Sequence, residues 1–182
     1  MNKRNMTFNL AMIAVFTAIM CICSWISIPV FGVPVSLQTF AVFMSASILG
    51  AKHSAVSILI YATLGIIGVP VFSGFKSGAA VIAGPTGGYL IGFFFAAICI
   101  GMLLKYLPQK KWVVWVSMFS GQIICYIFGV LWYKFVYLDA VTSIKEVLLV
   151  CVVPFLIPDI IKTVAAIILS QSVKRILNKS KY

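Results

Sequence analysis

Residues 152–165 read VVPFLIPDIIKTVA, a long apolar stretch that contains two ionisable side chains, Asp159 and Lys162. Such groups cost about 2.5–3.5 kcal/mol each at the centre of a membrane helix, so they usually face a protein-lined cavity or a partner. The i, i+3 spacing places both on one helical face. The stretch therefore predicts a membrane helix on which the two side chains either share a ligand or form an internal salt bridge.

The composition indicates a protein whose solvent is the lipid bilayer. Hydrophobic residues make up 63% of the 182 residues, which excludes an ordinary soluble domain. The net charge of +11 comes from Lys and Arg residues that punctuate long apolar runs. Membrane topology and anionic lipid headgroups explain this pattern better than nucleic acid does. The acidic residues are few: Asp139, Glu146 and Asp159.

Six apolar runs predict an all-α membrane protein with six transmembrane helices in a single integral membrane domain, residues 1–182. The runs cover residues 8–28, 37–50, 54–67, 86–104, 112–133 and 147–173. A bilayer core needs about 20 helical residues, so the second and third runs are short. They are either two short helices or one long helix that is broken at Lys52 and His53.

The distribution of basic residues favours six spans with both termini cytoplasmic. In that topology most Lys and Arg residues lie inside, and the outer segments hold Lys76, Lys134 and Lys145. A five-span topology divides the basic residues almost evenly, which sets no orientation under the positive-inside rule.

Two segments on the predicted outer side are candidates for a binding site. In residues 32–40, a turn leads into the second helix, with Ser36 as a candidate N-cap. Gln38 there is either a ligand contact or a polar residue at the start of a capped helix. Residues 84–90 form a glycine-rich turn that opens the fourth helix. Its N–H groups, at the positive end of the helix dipole, suit a carboxylate or a carbonyl oxygen.

The sequence offers little for catalysis or metal binding. His53 is the single histidine, and the five cysteines are scattered through apolar runs as small hydrophobic residues. No phosphate-binding GxxxxGK[ST] motif is present, so any ATP hydrolysis belongs to another chain. An intramembrane enzyme is disfavoured because the sequence lacks paired acids or a nucleophile with a base.

Five motifs in order resemble the signature of the BioY family, the biotin-binding S components of energy-coupling factor (ECF) transporters. They are GVPVSLQT (32–39), GIIGVPVF (65–72), GPTGGY (84–89), GVLW (129–132) and PFLIPDIIK (154–162). The resemblance implies a six-helix S-component fold in a bacterial-type plasma membrane. It also implies biotin as the transported ligand, no cofactor or metal, and partnership with a membrane coupling protein (T component) and two ATPase subunits.

The resemblance also implies roles for individual residues. Ala14 and Ala18 match a family stripe that docks the coupling protein, although small residues also serve ordinary helix packing. Pro158 stands where the family pattern has a glycine. The implied substrate-binding residues are Asp159, Lys162, Gln38, Thr39, Gly84, Thr86, Gly87, Gly88, Tyr89, Lys76 and Tyr126.

Biotin has two ureido N–H donors, a ureido carbonyl, an apolar ring and a carboxylate tail. We expect Asp159 to accept a hydrogen bond from a ureido N–H. Gln38 or the amides of Gly87 and Gly88 then donate to the carbonyl. The tail carboxylate lies at Lys162 or at Lys76, and Tyr89, Tyr126 and Trp132 are candidates to pack on the ring. The rival hypothesis is a solitary proton- or ion-coupled carrier that uses Asp159 as its proton site.

Overall fold

Long apolar helices dominate the computed structural model, which describes residues 3–30, 33–108, 110–137 and 143–179. In chain order the elements are α1 (Lys3–Trp25), β1 (Ser27–Val30), β2 (Val33–Ser36), α2 (Gln38–Ile66), α3 (Ala79–Ala83), α4 (Gly87–Tyr106), α5 (Lys111–Trp132), α6 (Ile144–Cys151) and α7 (Val153–Lys179). Among the described residues, five segments are long and apolar enough to cross a bilayer.

One of these segments, α2, is two antiparallel helices joined at Gly50. Gly50 has φ 76° and ψ 176°, which interrupts the helical backbone. The Gln38 amide donates a hydrogen bond to the Tyr61 hydroxyl at 2.6 Å, whereas a straight helix would separate these residues by about 34 Å. Residues 38–49 and 51–66 therefore fold back on each other.

This reversal confirms the prediction of two short helices and gives six apolar helical segments in the described part of the chain. The predicted spans, 37–50 and 54–67, left residues 51–53 between the two helices. Lys52 and His53 lie within the second helix, and the chain turns at Gly50 because glycine adopts a positive φ without the strain of a side chain. Gly101 of α4 packs against this turn, since a Cβ there would overlap the backbone of Ala51.

A short hairpin that the all-α description did not include connects α1 to α2. Strands β1 and β2 pair antiparallel, with Ser27 opposite Ser36 and Val30 opposite Val33. The first predicted helix ends early, at Trp25, because the chain becomes extended at Ser27. The Leu37 N–H donates to the carbonyl oxygens of Cys23 and Ile26, both at 3.1 Å, and so closes the hairpin onto the end of α1.

The last predicted run, 147–173, is divided. Helix α6 ends at Cys151 and α7 begins at Val153, with Val152 outside helical geometry between them. Pro154 lies in the first turn of α7, where its missing N–H has no helical partner to lose. Helix α7 continues through Pro158. Before α4, the five-residue helix α3 and a 3-10 turn at Ser73–Phe75 add structure that hydropathy does not reveal.

Close packing of α4 between its neighbours forms the centre of the bundle. A Cβ on Gly88 of α4 would overlap the Phe128 carbonyl and the Trp132 side chain, so α4 and α5 approach at this position. Small residues permit such approaches between membrane helices. The buried core between α2, α4, α5 and α7 includes Phe43, Ala46, Ala96, Ile100, Met118 and Ile167.

A second, smaller cavity marks one end of the bundle. This cavity of 170 Å³ is lined by Asn9 near the start of α1, His53 after the α2 reversal, and Lys174 near the end of α7. The beginning and the end of the described chain therefore lie at one end of the bundle. The cytoplasmic location of this end remains a prediction.

Candidate functional site

A larger cavity of 270 Å³ is lined by residues from β2, α2, the segment 72–93, α5 and α7. Its polar floor is formed by Gln38, Thr39, Gln122, Asp159 and Lys162. The other polar residues that line it include Ser73, Lys76 and Thr86, and its apolar wall includes Val33, Phe72, Tyr89, Leu90, Phe93 and Phe155. A mostly apolar pocket with a few convergent polar groups is typical of a small-molecule site.

Lys162 is buried in this floor with all of its donors used. Its ammonium group forms an ion pair with Asp159. It also donates to the Ser36 carbonyl oxygen at 2.8 Å and to Thr39 Oγ1 at 3.1 Å. A lysine has three N–H donors and no acceptor. The ammonium therefore ties α7 to the end of β2 and to the start of α2.

Asp159 accepts four hydrogen bonds or ion-pair contacts. Oδ1 contacts the Lys162 ammonium and accepts from Thr39 Oγ1 at 3.4 Å. Oδ2 accepts from Gln122 Nε2 and from the Tyr126 hydroxyl, each at 2.9 Å. A buried ion pair is stable only when hydrogen bonds replace its lost hydration, and these contacts supply that replacement. The salt bridge, which was one of the two alternatives for this pair, is therefore present, and it forms part of the cavity floor.

Gln122 is a polar cavity residue that was not among the predicted site residues. Its side chain is 6% exposed, and its Oε1 has no hydrogen-bond partner among the described residues. The signal was present in the sequence, since Gln122 is the single amide in the apolar run 112–133 and lies one helical turn before Tyr126. Polar side chains at membrane depth are costly and commonly functional, but an uncharged amide stands out less than Asp159.

Gln38 lines the cavity and also connects the surrounding elements. Its Oε1 accepts from Ser36 Oγ at 3.2 Å and from Ser73 Oγ at 3.4 Å. Tyr61, which accepts from the Gln38 amide, donates in turn to the Val71 carbonyl at 3.0 Å. The Gln38 side chain therefore both lines the cavity and holds the start of α2, and its contact with a ligand stays a prediction. The N-cap position itself is Leu37, not Ser36.

The glycine-rich turn contributes only part of its predicted residues to the lining. Gly84, Thr86 and Tyr89 line the cavity, whereas Gly87 and Gly88 do not. A Cβ on Gly87 would overlap the Ile82 carbonyl, and Gly88 packs on α5. These two glycines therefore permit close backbone packing that shapes the cavity from behind.

Three predicted aromatic residues hold the cavity wall in different ways. Tyr89 is part of the lining, and its hydroxyl donates to the Cys151 carbonyl. Tyr126 is not part of the lining and acts on the floor through its hydrogen bond to Asp159. Trp132 donates from Nε1 to the Gly84 carbonyl at 3.1 Å and so secures the turn before α4.

Lys76 lines the cavity from an exposed loop and differs from Lys162 in being available to a ligand. No described residue pairs with its ammonium group. Backbone contacts shape the loop, because the Phe72 N–H donates to the Lys76 carbonyl at 3.0 Å. Trp25 also stacks on Phe75 with ring centroids 5.1 Å apart.

The predicted docking residues are not among those that line the cavity. Ala14 and Ala18 are both exposed on α1, so their face is free of packing within the described structure. Within the described ranges, no three His, Cys, Asp or Glu side chains come together in a way that would hold a metal ion.

Comparison with known proteins identifies the family. The BioY family model matches residues 1–179 of the chain. The chain belongs to the BioY family. It is 41% identical to the biotin transporter BioY of Thermotoga maritima over 162 residues, which covers 89% of this chain and 93% of that protein. It is 35% identical to the biotin transporter BioY2 of Lactococcus lactis, with coverage of 94% and 92%.

A solved structure of similar fold extends this match to three dimensions. The crystal structure of the S-component for biotin from an ECF-type ABC transporter superposes with a TM-score of 0.88. The sequence identity is 27%, and the match covers 96% of this chain and 95% of the other. The predicted S-component fold is thereby confirmed.

Proposed function

We propose that this chain is the biotin-binding S component of an ECF-type ABC transporter and that it mediates biotin uptake. The observation that carries the proposal is the polar-floored cavity around Asp159 and Lys162 in a chain that matches the BioY family over almost its whole length. The chain is a multi-pass membrane protein, and we propose the plasma membrane of a bacterial-type cell as its location.

The cavity suits the three chemical parts of biotin. The polar ureido ring lies on the floor beside Gln122 and Thr39, where hydrogen bonds replace its lost hydration. The thiophane ring and the valeryl chain pack on the apolar wall, which includes Leu90, Phe93 and Phe155. Burying that apolar surface contributes about 25 cal/mol per Å².

The carboxylate tail of biotin lies at Lys76. Lys162 is the rival candidate, but its three N–H donors are already used by Asp159, Thr39 and Ser36. Lys76 has no such partners in the described part of the chain, and it lies in an exposed loop that lines the cavity. Because water screens an exposed ion pair, this contact contributes about 0.2–1 kcal/mol and mainly orients the tail.

The energy for transport comes from partner proteins. The chain contains no Walker-type phosphate-binding motif, so we propose a membrane coupling protein (T component) and two ATPase subunits as partners. The exposed face of α1 that carries Ala14 and Ala18 is the proposed docking site for the coupling protein. Small side chains allow a partner helix to approach its backbone closely.

A solitary carrier that uses Asp159 as its proton site is less compatible with this geometry. The Asp159 carboxylate accepts from four donor groups, one of which is the Lys162 ammonium. A protonated Asp159 would carry an O–H that needs an acceptor, and Lys162 would lose its counterion. The carrier hypothesis predicts biotin uptake by the chain alone that a protonophore abolishes. The proposed function predicts uptake that follows ATP hydrolysis by the partner subunits.

Titration calorimetry of the purified chain with biotin tests the proposal. We expect saturable, one-to-one binding, and weaker binding of a biotin amide that lacks the tail charge. Lys76→Met should weaken biotin binding and leave the affinity for the amide unchanged. Absence of saturable heat with biotin, in a sample that remains monodisperse and folded, would refute the assignment.

A further inference from the structure

We propose that the second, smaller cavity is a binding site for a phosphate group, which Lys174, His53 and Asn9 hold at the membrane interface. This cavity lies at the end of the bundle where the described chain begins and ends, and it shares no lining residue with the larger cavity. The inference does not depend on what the larger cavity binds.

Three polar side chains from three different helices line the smaller cavity. Asn9 is on α1, His53 is on α2 and Lys174 is on α7. Each of the three is half-buried and keeps part of its surface exposed, so a ligand in the cavity can reach it. An ammonium, an imidazolium and a side-chain amide all offer N–H groups. The cavity therefore presents several hydrogen-bond donors to one ligand.

Lys174 has no counterion in the described part of the chain. Two of the three acidic residues of the sequence are described. Asp159 is paired with Lys162 in the larger cavity and lies about 22 Å from Lys174 along α7. Glu146 is on α6, which precedes the opposite end of α7. A charge that is partly removed from water is stabilised by a partner of opposite sign, so this cavity favours an anion.

The ring of His53 adds a second donor beside this ammonium. Its Nδ1 lies 3.4 Å from the Leu49 carbonyl oxygen, which can only accept, so Nε2 is the ring nitrogen left for a ligand. The imidazolium form of histidine donates from both nitrogens. A phosphate beside the ring favours that charged form, because opposite charges attract at short range. The oxygens of one phosphate are enough to accept from all three side chains.

The position of the cavity along the bundle suits a phosphate at the membrane surface. Val153, where α7 begins, and Lys174 are separated by about 32 Å along the helix axis, which is close to a hydrocarbon thickness of about 30 Å. Lys174 therefore lies at the level of the lipid headgroups when the start of α7 lies at the opposite surface. Basic pockets between membrane helices are typical binding sites for anionic headgroups.

The apolar part of the wall distinguishes two sources of the phosphate. It is formed by Phe8 and Met12 of α1, Ile48 and Leu49 of α2, and Leu177 of α7. An acyl chain gains affinity by packing on such a surface, whereas inorganic phosphate uses only the polar donors. A phospholipid and a free phosphate can therefore be separated by experiment.

Native mass spectrometry of the full chain, purified and delipidated in detergent, tests the lipid source. The probes are phosphatidylglycerol, which is anionic, and phosphatidylcholine with the same acyl chains, which is zwitterionic. The proteins are the wild type, Lys174→Gln, and Arg175→Gln as the control. Arg175 is the next residue on α7, is exposed and does not line the cavity, so its variant loses the same charge outside the site.

We expect wild type to bind its first phosphatidylglycerol molecule at least about 5-fold more tightly than phosphatidylcholine. Lys174→Gln should lose most of this preference, and Arg175→Gln should keep it. This result would assign the site to a lipid headgroup.

Thermal unfolding of the same three proteins tests the free source. Inorganic phosphate is compared with chloride at equal ionic strength. A rise in unfolding temperature that Lys174→Gln lacks and Arg175→Gln keeps would assign the site to free phosphate. Positive results in both experiments would show that the cavity accepts the phosphate group from either source.

Two results would overturn the inference. One is a wild-type protein that neither prefers phosphatidylglycerol nor gains stability from phosphate. The other is an equal response of Lys174→Gln and Arg175→Gln, because general charge attraction would then explain the binding. If Lys174→Gln is not monodisperse, His53→Phe decides, since it removes the second donor and keeps a ring. A His53→Phe protein that responds as wild type does would also refute the assignment.

Discussion

At the scale of single residues, the cavity floor is a hydrogen-bonded network in which the charges of Lys162 and Asp159 hold neighbouring elements together. Lys162 and Asp159 are 7% and 4% exposed, and their contacts connect α7 to α2, β2 and α5. The membrane cost of ionisable groups was enough to single out this pair from the sequence. The partners could not be predicted, because spacing along one helix carries no information about which other helices face it.

The network predicts that Asp159→Asn damages folding as well as binding. Removing one partner of a buried ion pair leaves an uncompensated charge and costs about 3–5 kcal/mol. We expect a lower unfolding temperature in detergent and a loss of biotin binding. Unfolding temperature, followed by intrinsic fluorescence, is the measurement.

The double variant Asp159→Asn with Lys162→Met is the control for this prediction. It removes the unpaired ammonium along with its counterion, so it should recover part of the lost thermal stability but not the binding. Equal stability of the single and double variants would show that the charge balance at this site is unimportant.

At the scale of elements, the sequence pattern predicted the apolar helical segments well. It predicted the positions of the turns between them less well. The run 37–67 was divided into the spans 37–50 and 54–67, which leaves residues 51–53 between the two helices. The chain instead reverses at Gly50. Hydropathy reports the surroundings of a side chain, whereas a reversal depends on backbone conformation, which a single glycine controls.

The Gly50 turn makes a specific prediction about stability. Gly50 has a positive φ and no atom within 4 Å of where a Cβ would lie. Gly50→Ala should therefore destabilise the protein through backbone strain alone, by about 1–3 kcal/mol. Thermal unfolding of the purified variant measures the effect.

Leu59→Ala serves as the comparison, because Leu59 lies on the same element with 52% of its surface exposed. It should unfold close to wild type. If Gly50→Ala were as stable as wild type, the reversal would not depend on the left-handed backbone conformation that the structure has at this residue.

The hairpin and the divided final segment are the elements that the sequence analysis did not predict. Ser27–Val30 and Val33–Ser36 are too short for a distinct periodicity, and Pro29 and Pro34 pair opposite each other within them. Residues 147–173 read as one apolar run because the interruption at Val152 involves backbone angles and not a change in composition.

At the scale of the whole molecule, the cavity and the exposed alanine face of α1 are separate surfaces. The six-segment architecture was predictable because the sequence contains six apolar runs. The cavity was predicted only in outline, from Asp159 and Lys162 and from the segments 32–40 and 84–90. Its closed floor depends on contacts between residues more than 100 positions apart, such as Thr39 with Asp159.

Because the cavity and the alanine face of α1 are separate, we expect a variant that binds biotin but does not support biotin uptake by cells. Ala14→Trp with Ala18→Trp places two large rings on the exposed face of α1. We expect biotin affinity by calorimetry to remain unchanged, and ATP-dependent uptake in cells with the coupling protein and ATPases to fall to a small fraction of wild type. Large side chains there would block close approach of a partner helix.

Ile168→Trp is the matched control, since Ile168 is exposed on α7 and adds the same ring to a different face. It should retain uptake. If the α1 variant transported biotin normally, coupling would have to occur through another surface.

The reversal in α2 also shortens the route that a solute must travel. Residues 38–49 form a helix of about 18 Å, against a hydrocarbon thickness of about 30 Å, and Gln38 at its first turn already lines the floor of the recess. With residue 49 placed at the inner edge of the hydrocarbon, we expect a vitamin seated there to lie roughly 12 Å below the outer edge. From such a position we expect the energised step to open only the remaining thickness beneath the vitamin.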